Sequence, residues 1–239
     1  MKGCLIAIVA VLAILMIIIT AGLVYFFAFE KEVPAGLINL IKEEIAGVGS
    51  TTFNVDYKLV NEFGDVVDVV TNTIYDASGE ITYYEKTEMT RSGKDDTLVI
   101  EVKYYDKDGN LAEHIKLYIE DGKYKYIFNE EVLELDEEDW KNCAPVLFAS
   151  CMPFEEQTDG QYKLEGGEYL ENFSRMTQKG MDVTAYAYNG DDEYVLAFNL
   201  RSTAMSSYKM TLYTKEGETV VQKQVLDFAL DLDLSKFAK

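Results

Sequence analysis

The chain holds one imidazole, His114, and three cysteines, Cys4, Cys143 and Cys151. General acid–base work near neutral pH most often falls to histidine. His114 sits in LAEHIKLYIE, where it alternates with apolar residues, and so reads as a surface group on the wet side of a strand. G-x-S-x-G, the P-loop, H-E-x-x-H and C-x-x-C are all missing from the sequence. Carboxylates are abundant, yet Asp106-Lys107-Asp108-Gly109-Asn110 lacks the spacing and the distal glutamate of a calcium loop and reads as a hairpin turn. The acidic groups Asp95-Asp96, Asp136 to Asp139 and Asp191 to Glu193 could bind calcium weakly, but read as solvated loops. No catalytic residue, metal ligand or cofactor site is therefore assigned, and the chain is expected not to be an enzyme.

Cys143 and Cys151 lie eight apart in WKNCAPVLFASC, with Pro145 between them. In an oxidising compartment such a pair can close a small loop-stapling disulfide, which is the expectation here. A continuous helix would instead hold their Cα atoms about 12 Å apart, too far to bond, and leave free thiols. Pro145 and Pro153 argue against continuity.

The elements that must position these groups are mostly strands. FNVDYKLV (53–60), VVDVVTNTIYD (66–76), ITYYEKTEMT (81–90), TLVIEVKYYD (97–106), LAEHIKLYIE (111–120) and KYKYIFNE (123–130) alternate apolar and polar residues. EFGD, ASGE, RSGKDD, KDGN and DG separate them, the punctuation of antiparallel hairpins. Leu98, Ile100, Val102 and Tyr104 fall on one side of a strand, as do Ile115, Leu117 and Ile119, while Glu101, Lys103, Glu113 and Lys116 are read onto the other. A sheet with one apolar face needs a cover. The segment from Asp136 to Met152 is expected to start as a helix, acidic in its first turn, and to supply Trp140, Val146, Leu147, Phe148 and Met152 to that cover. Residues 166–180 read as a short helix or loop, after which MDVTAYAYN, EYVLAFNLR, YKMTLYTKE and TVVQKQVLDFALDLDL resume the strand pattern. The fold class expected is mainly β (α+β): a large antiparallel meander of about ten strands covered by two or three short helices.

The N-terminus is of another kind. From Cys4 to Phe29 there are 26 residues without a charge. As a helix they would reach about 39 Å, beyond the roughly 30 Å of a bilayer's hydrocarbon core. Residues 1–32 are thus expected to be an uncleaved signal-anchor, and Lys2 before the span with Glu30 and Glu32 after it places the N-terminus in the cytoplasm. Residues 33–239 would form one extracytoplasmic domain, opened by an amphipathic helix with Leu37, Leu40, Ile41 and Ile45 on one face. That part carries 40 acidic against 20 basic residues, which repels nucleic acid and anionic headgroups and suits solubility. Lys2-Gly3 before a long apolar helix also resembles the processing site of type IV pilin-like subunits, though the acidic residue expected a few positions in is missing. Asn172-Phe173-Ser174 is a glycosylation sequon, meaningful in a glycosylating host.

The order of elements, with the hairpin YIEDGKYKYIFNEEVLEL (118–135), resembles the LolA/LppX-type lipoprotein carriers. That resemblance implies a half-open barrel whose apolar side, capped by helices, holds lipid or acyl chains. A spanning anchor, the absence of a lipobox cysteine and an acidic surface depart from a shuttling carrier. The expected function is a membrane-anchored, noncatalytic binding protein for an apolar or lipid-like ligand; the alternative is a structural or adhesive cell-surface subunit.

Overall fold

The computed structural model describes residues 30–33, 52–158, 160–170, 173–199 and 204–233. The expected membrane span, the amphipathic helix around Leu37 to Ile45 and Asn172 of the sequon lie outside these residues. No helix among the described residues is long and apolar enough to cross a membrane.

The protein is built on antiparallel β structure. Strands β3 (Val66–Asp76), β4 (Ile81–Ser92), β5 (Val99–Tyr105), β6 (Leu111–Glu120), β7 (Lys123–Phe128) and β8 (Glu131–Leu135) form one meander. A second comprises β11 (Arg175–Lys179), β12 (Asp182–Asn189), β13 (Asp192–Asn199), β14 (Ala204–Glu216) and β15 (Thr219–Asp233). The meanders join where β15 pairs with β3, from Gln222 opposite Asp76 to Ala229 opposite Val69. With β1 (Lys31–Glu32) on β11, this makes a 12-stranded sheet whose edges are β1 and β8. A smaller three-stranded sheet joins β2 (Phe53–Asn54), β10 (Gln161–Leu164) and β9 (Phe154–Thr158). The described strands thus outnumber the ten expected, because β8 to β11 are short and lack clear alternation.

Local chemistry explains the turns. Asp76 Oδ1 accepts from the Ser78 and Glu80 amides at 2.8 and 3.0 Å, and Asp106 Oδ1 accepts from those of Asp108 and Asn110, both at 2.9 Å. The two hairpins are the same device, an aspartate folded over a glycine at φ +86° (Gly79) or +80° (Gly109). Asp121 and Gly122, at φ 50° and 72°, give the two-residue turn with both residues left-handed that suits the twist of paired strands.

Three α-helices complete the described residues: α1 (Tyr57–Glu62), α2 (Glu137–Ala149) and α3 (Gly167–Leu170). Helix α1 corrects the expectation of a strand over 53–60, of which only β2 remains. Asp56 caps it by accepting from the Leu59 amide at 2.8 Å. Its far end is held from β4: Arg91, 1% exposed, donates from Nε to the Val60 carbonyl at 2.9 Å and from Nη2 to that of Asn61 at 2.7 Å. A guanidinium 30 residues away thus satisfies carbonyls that the helix leaves open. Helix α2 starts where the acidic run placed it, with Asp136 accepting from the Asp139 amide at 2.8 Å. It then runs through Pro145 to Ala149, contrary to the sequence expectation. Pro145 gives up one backbone donor, and burial of Trp140, Ala144, Leu147 and Phe148 on one stripe outweighs that loss.

The core lies between the 12-stranded sheet and these covering pieces. Trp140 is fully buried against Tyr57 and Tyr124, with ring centroids 6.0 and 5.5 Å away, and its Nε1 donates to the Lys125 carbonyl at 3.1 Å. Phe148 meets Phe63 at 5.1 Å. Under the second meander Tyr169 stacks on Tyr194 at 5.0 Å, and the Tyr208 hydroxyl donates to the Glu165 carbonyl at 2.6 Å.

Candidate functional site

The cover is incomplete where α2 crosses β5, β6 and β7. Alternation and register set the floor: Val102 opposes Ile115, Ile100 opposes Leu117 and Leu117 opposes Tyr126, so these side chains share the covered face. Helix α2 presses Leu147 and Phe148 into that face but leaves Val146 63% exposed, so Val146 is not the cover it was expected to be. The result is a groove of about 400 Å³ lined by Tyr104, Ile115, Leu117 and Tyr126 from the sheet and by Asn142, Cys143, Val146, Leu147 and Ser150 from the helix and its end. A volume of this order lies in the range of small-molecule sites, which are mostly apolar with a few polar groups. Further apolar side chains stand exposed at the ends of β6 and β7, Leu111 and Phe128.

The groove's polar groups are held neutral. Burial first, then the nearby Cys151 and Glu113 against a Ser150 hydrogen bond, pushes the Tyr104 phenol up to about 12. Burial first, then Cys143 and Glu113, raises Tyr126. Burial, seconded by Asp139, raises the Cys143 thiol. At neutral pH these groups offer O–H and S–H dipoles and no charge.

The structure holds the two cysteines of the expected disulfide as separate thiols, Cys143 on the groove wall and Cys151 buried beyond the helix end. The continuity of α2 past Pro145 is the reason, since it gives Cys143 and the segment before Cys151 the helical rise that keeps such a pair apart. Burial pushes Cys151 up to about 12, and a buried protonated thiol is inert.

His114 lies on the opposite face of β6, opposite Lys103, with Nε2 2.8 Å from Glu101 Oε1. It is remote from the groove lining. The acidic groups serve local structure: Asp95 bonds the Asn61 side chain at 2.7 Å, Asp136 caps α2, and Asp192 accepts from the Tyr213 amide at 2.8 Å. Glu193 accepts from the Tyr188 hydroxyl at 2.9 Å, while Asp191 pairs with Lys215. Among the described residues no group of three or more His, Cys, Asp or Glu side chains is placed to hold a metal ion.

No protein-family model matches the chain, and no curated protein matches it. Among solved structures it is similar to a Bacteroides fragilis NCTC 9343 protein described as exported, with a YmcC-like fold. The identity is 10% and the TM-score 0.20, over 74% of this chain and 98% of that one. An S-type phycobiliprotein lyase from Guillardia theta gives 7% and 0.21, over 79% and 97%. A DUF1329 family protein from Desulfovibrio piger ATCC 29098 gives 12% and 0.21, over 81% and 92%. Superpositions at this level carry no argument about fold or function.

Proposed function

We propose that the chain is a membrane-tethered extracytoplasmic binding protein, noncatalytic, that takes an apolar or lipid-like molecule into the groove between α2 and strands β5 to β7. The observation that carries this is the groove itself: an open hollow of about 400 Å³ whose floor and walls are Tyr, Ile, Leu, Val and Cys side chains, rimmed only by Asn142 and Ser150. Water in such a hollow is poorly bonded, and its release on ligand entry favours binding. The uncharged stretch from Cys4 to Phe29 supports a tether next to a source of lipid. The likeness of pattern to LolA/LppX-type carriers supports the same reading, with the sheet acting as a half-barrel for acyl chains.

The test is to place the full chain in lipid nanodiscs containing a long-chain alcohol that bears a photoreactive diazirine, irradiate, and map labelled residues by mass spectrometry. Saturable labelling of the 104–126 and 142–150 peptides is expected. Label confined to residues 1–32, or spread in proportion to exposed surface, would overturn the proposal. N-terminal sequencing of the mature chain in the same preparation separates the alternative, since a start at Cys4 favours a filament subunit.

A further inference from the structure

The charges around the groove define which apolar molecules it admits. Its lining contains no Lys, Arg or His. Basic residues are plentiful on the same strands, but alternation sends them to the other face. Lys103 sits between Val102 and Tyr104, Lys116 between Ile115 and Leu117, and Lys125 between Tyr124 and Tyr126. There they meet acids of that face: Lys103 Nζ is 3.4 Å from Glu101, and Lys125 Nζ is 3.2 Å from Glu134. The cation of α2, Lys141, bonds Glu137 one turn back and lies over the Tyr57 ring, 5.2 Å from its centroid. It is therefore engaged on the Trp140 flank of the helix. The charges that flank the groove, outside its lining, are negative. Glu113, half-buried, stands directly opposite Tyr104 in the β5–β6 register, and the alternation that turns Ile115 and Leu117 to the covered side turns it there too, not to the wet side where it was expected. Asp139 lies one helical turn before Cys143.

Resting on the function proposed above, we infer that the groove selects uncharged apolar molecules bearing a hydroxyl or carbonyl group and rejects anionic lipids. The tyrosine hydroxyls of its floor and the asparagine and serine groups at its rim offer dipoles to such a head. An anionic head would lie beside the Glu113 carboxylate with no cation to offset it and with part of its hydration removed. At a separation of about 7 Å and an effective dielectric between those of protein surface and water, that repulsion amounts to roughly a tenfold loss in affinity.

The experiment uses the full chain in nanodiscs with two probes that share one long alkyl diazirine chain, one ending in a hydroxyl and the other in a sulfonate. Labelling of the groove peptides by the alcohol is expected to exceed that by the sulfonate by roughly tenfold, and Glu113→Lys, which turns the repulsion into an attraction, should raise the sulfonate-to-alcohol ratio by roughly a hundredfold. Glu113→Gln, which keeps size and removes charge, should raise it by roughly tenfold and covers the case in which the lysine variant does not fold. Equal labelling by both probes, or a ratio untouched in both folded variants, overturns the selectivity while leaving the binding site standing. Labelling of the groove by neither probe instead removes the binding function on which it rests.

Discussion

Val146→Glu separates binding from folding. Val146 is 63% exposed on the last turn of α2 and faces the groove. Full burial of a valine side chain is worth about 1.5 to 3 kcal/mol, so a ligand that covers the exposed part of Val146 gains roughly 1 to 2 kcal/mol from it. A glutamate forfeits that gain and adds the cost of drying a carboxylate, at least about 1 kcal/mol more. The sum is a loss of affinity of about 30-fold or greater. Folding should hardly notice. Glutamate is a better helix former than valine by a few tenths of a kcal/mol, and its charge near a helix C-terminus costs about as much. The assay is concentration-dependent diazirine-alcohol labelling of the 104–126 and 142–150 peptides beside thermal melting followed by circular dichroism. Unchanged labelling with an unchanged melting temperature would refute the placement of the site.

Arg91→Ala removes the partners of the Val60 and Asn61 carbonyls, and at about 1 to 3 kcal/mol for each stranded group should cost about 2 to 6 kcal/mol in urea unfolding; less than 1 kcal/mol would refute the capping role. Gly93 and Gly79 make a matched pair. At Gly93, φ +74°, an added Cβ would lie 2.0 Å from the Thr97 carbonyl oxygen, so Gly93→Ala should cost more than about 2 kcal/mol. Gly79, φ +86°, has nothing within 4 Å of that position, and Gly79→Ala should cost only the roughly 1 kcal/mol of the left-handed backbone. Iodoacetamide should label Cys143 slowly and Cys151 only after unfolding, with no change on reduction. Burial raises the Cys151 thiol from 9.0 to about 12, so below pH 9 the folded and unfolded chains hold this proton alike. Above it the unfolded chain releases the proton first, and stability falls as pH rises towards about 12. Cys151→Ala should flatten that slope in melting curves.

Where the sequence carried its own local signal, structure followed it closely. The strands at 66–76 and 111–120 match their alternating runs residue for residue, because each borders a turn whose aspartate and glycine make the bend by themselves. The errors fall where a distant residue decides. FNVDYKLV alternates as a strand should, yet Asp56 caps a helix there whose last carbonyls are taken by Arg91 from another strand. No window of sequence contains both ends of that arrangement. The pairing of β15 with β3 is hidden for the same reason, since both strands alternate well and nothing local says that residues 219–233 lie beside 66–76.

The candidate site combines a legible half with an illegible one. Its floor was readable: Tyr104, Ile115 and Leu117 are apolar positions in alternating strands, and the same period that turns them to the covered side turns Lys103 and Lys116 away. Its wall was not, because Pro145 signals a break in α2 at the point where the helix in fact carries Cys143, Val146 and Leu147 over the sheet. A stripe of Trp140, Ala144, Leu147 and Phe148 at helical spacing was the signal available against the proline, and its burial decides the matter. Once α2 is continuous, two consequences arise together: the cysteines are held apart, and a strip of apolar sheet beside Val146 is left without cover. The groove exists because the helix is long enough to shield the core at Trp140 and Phe148 and too narrow to shield the strands beside it.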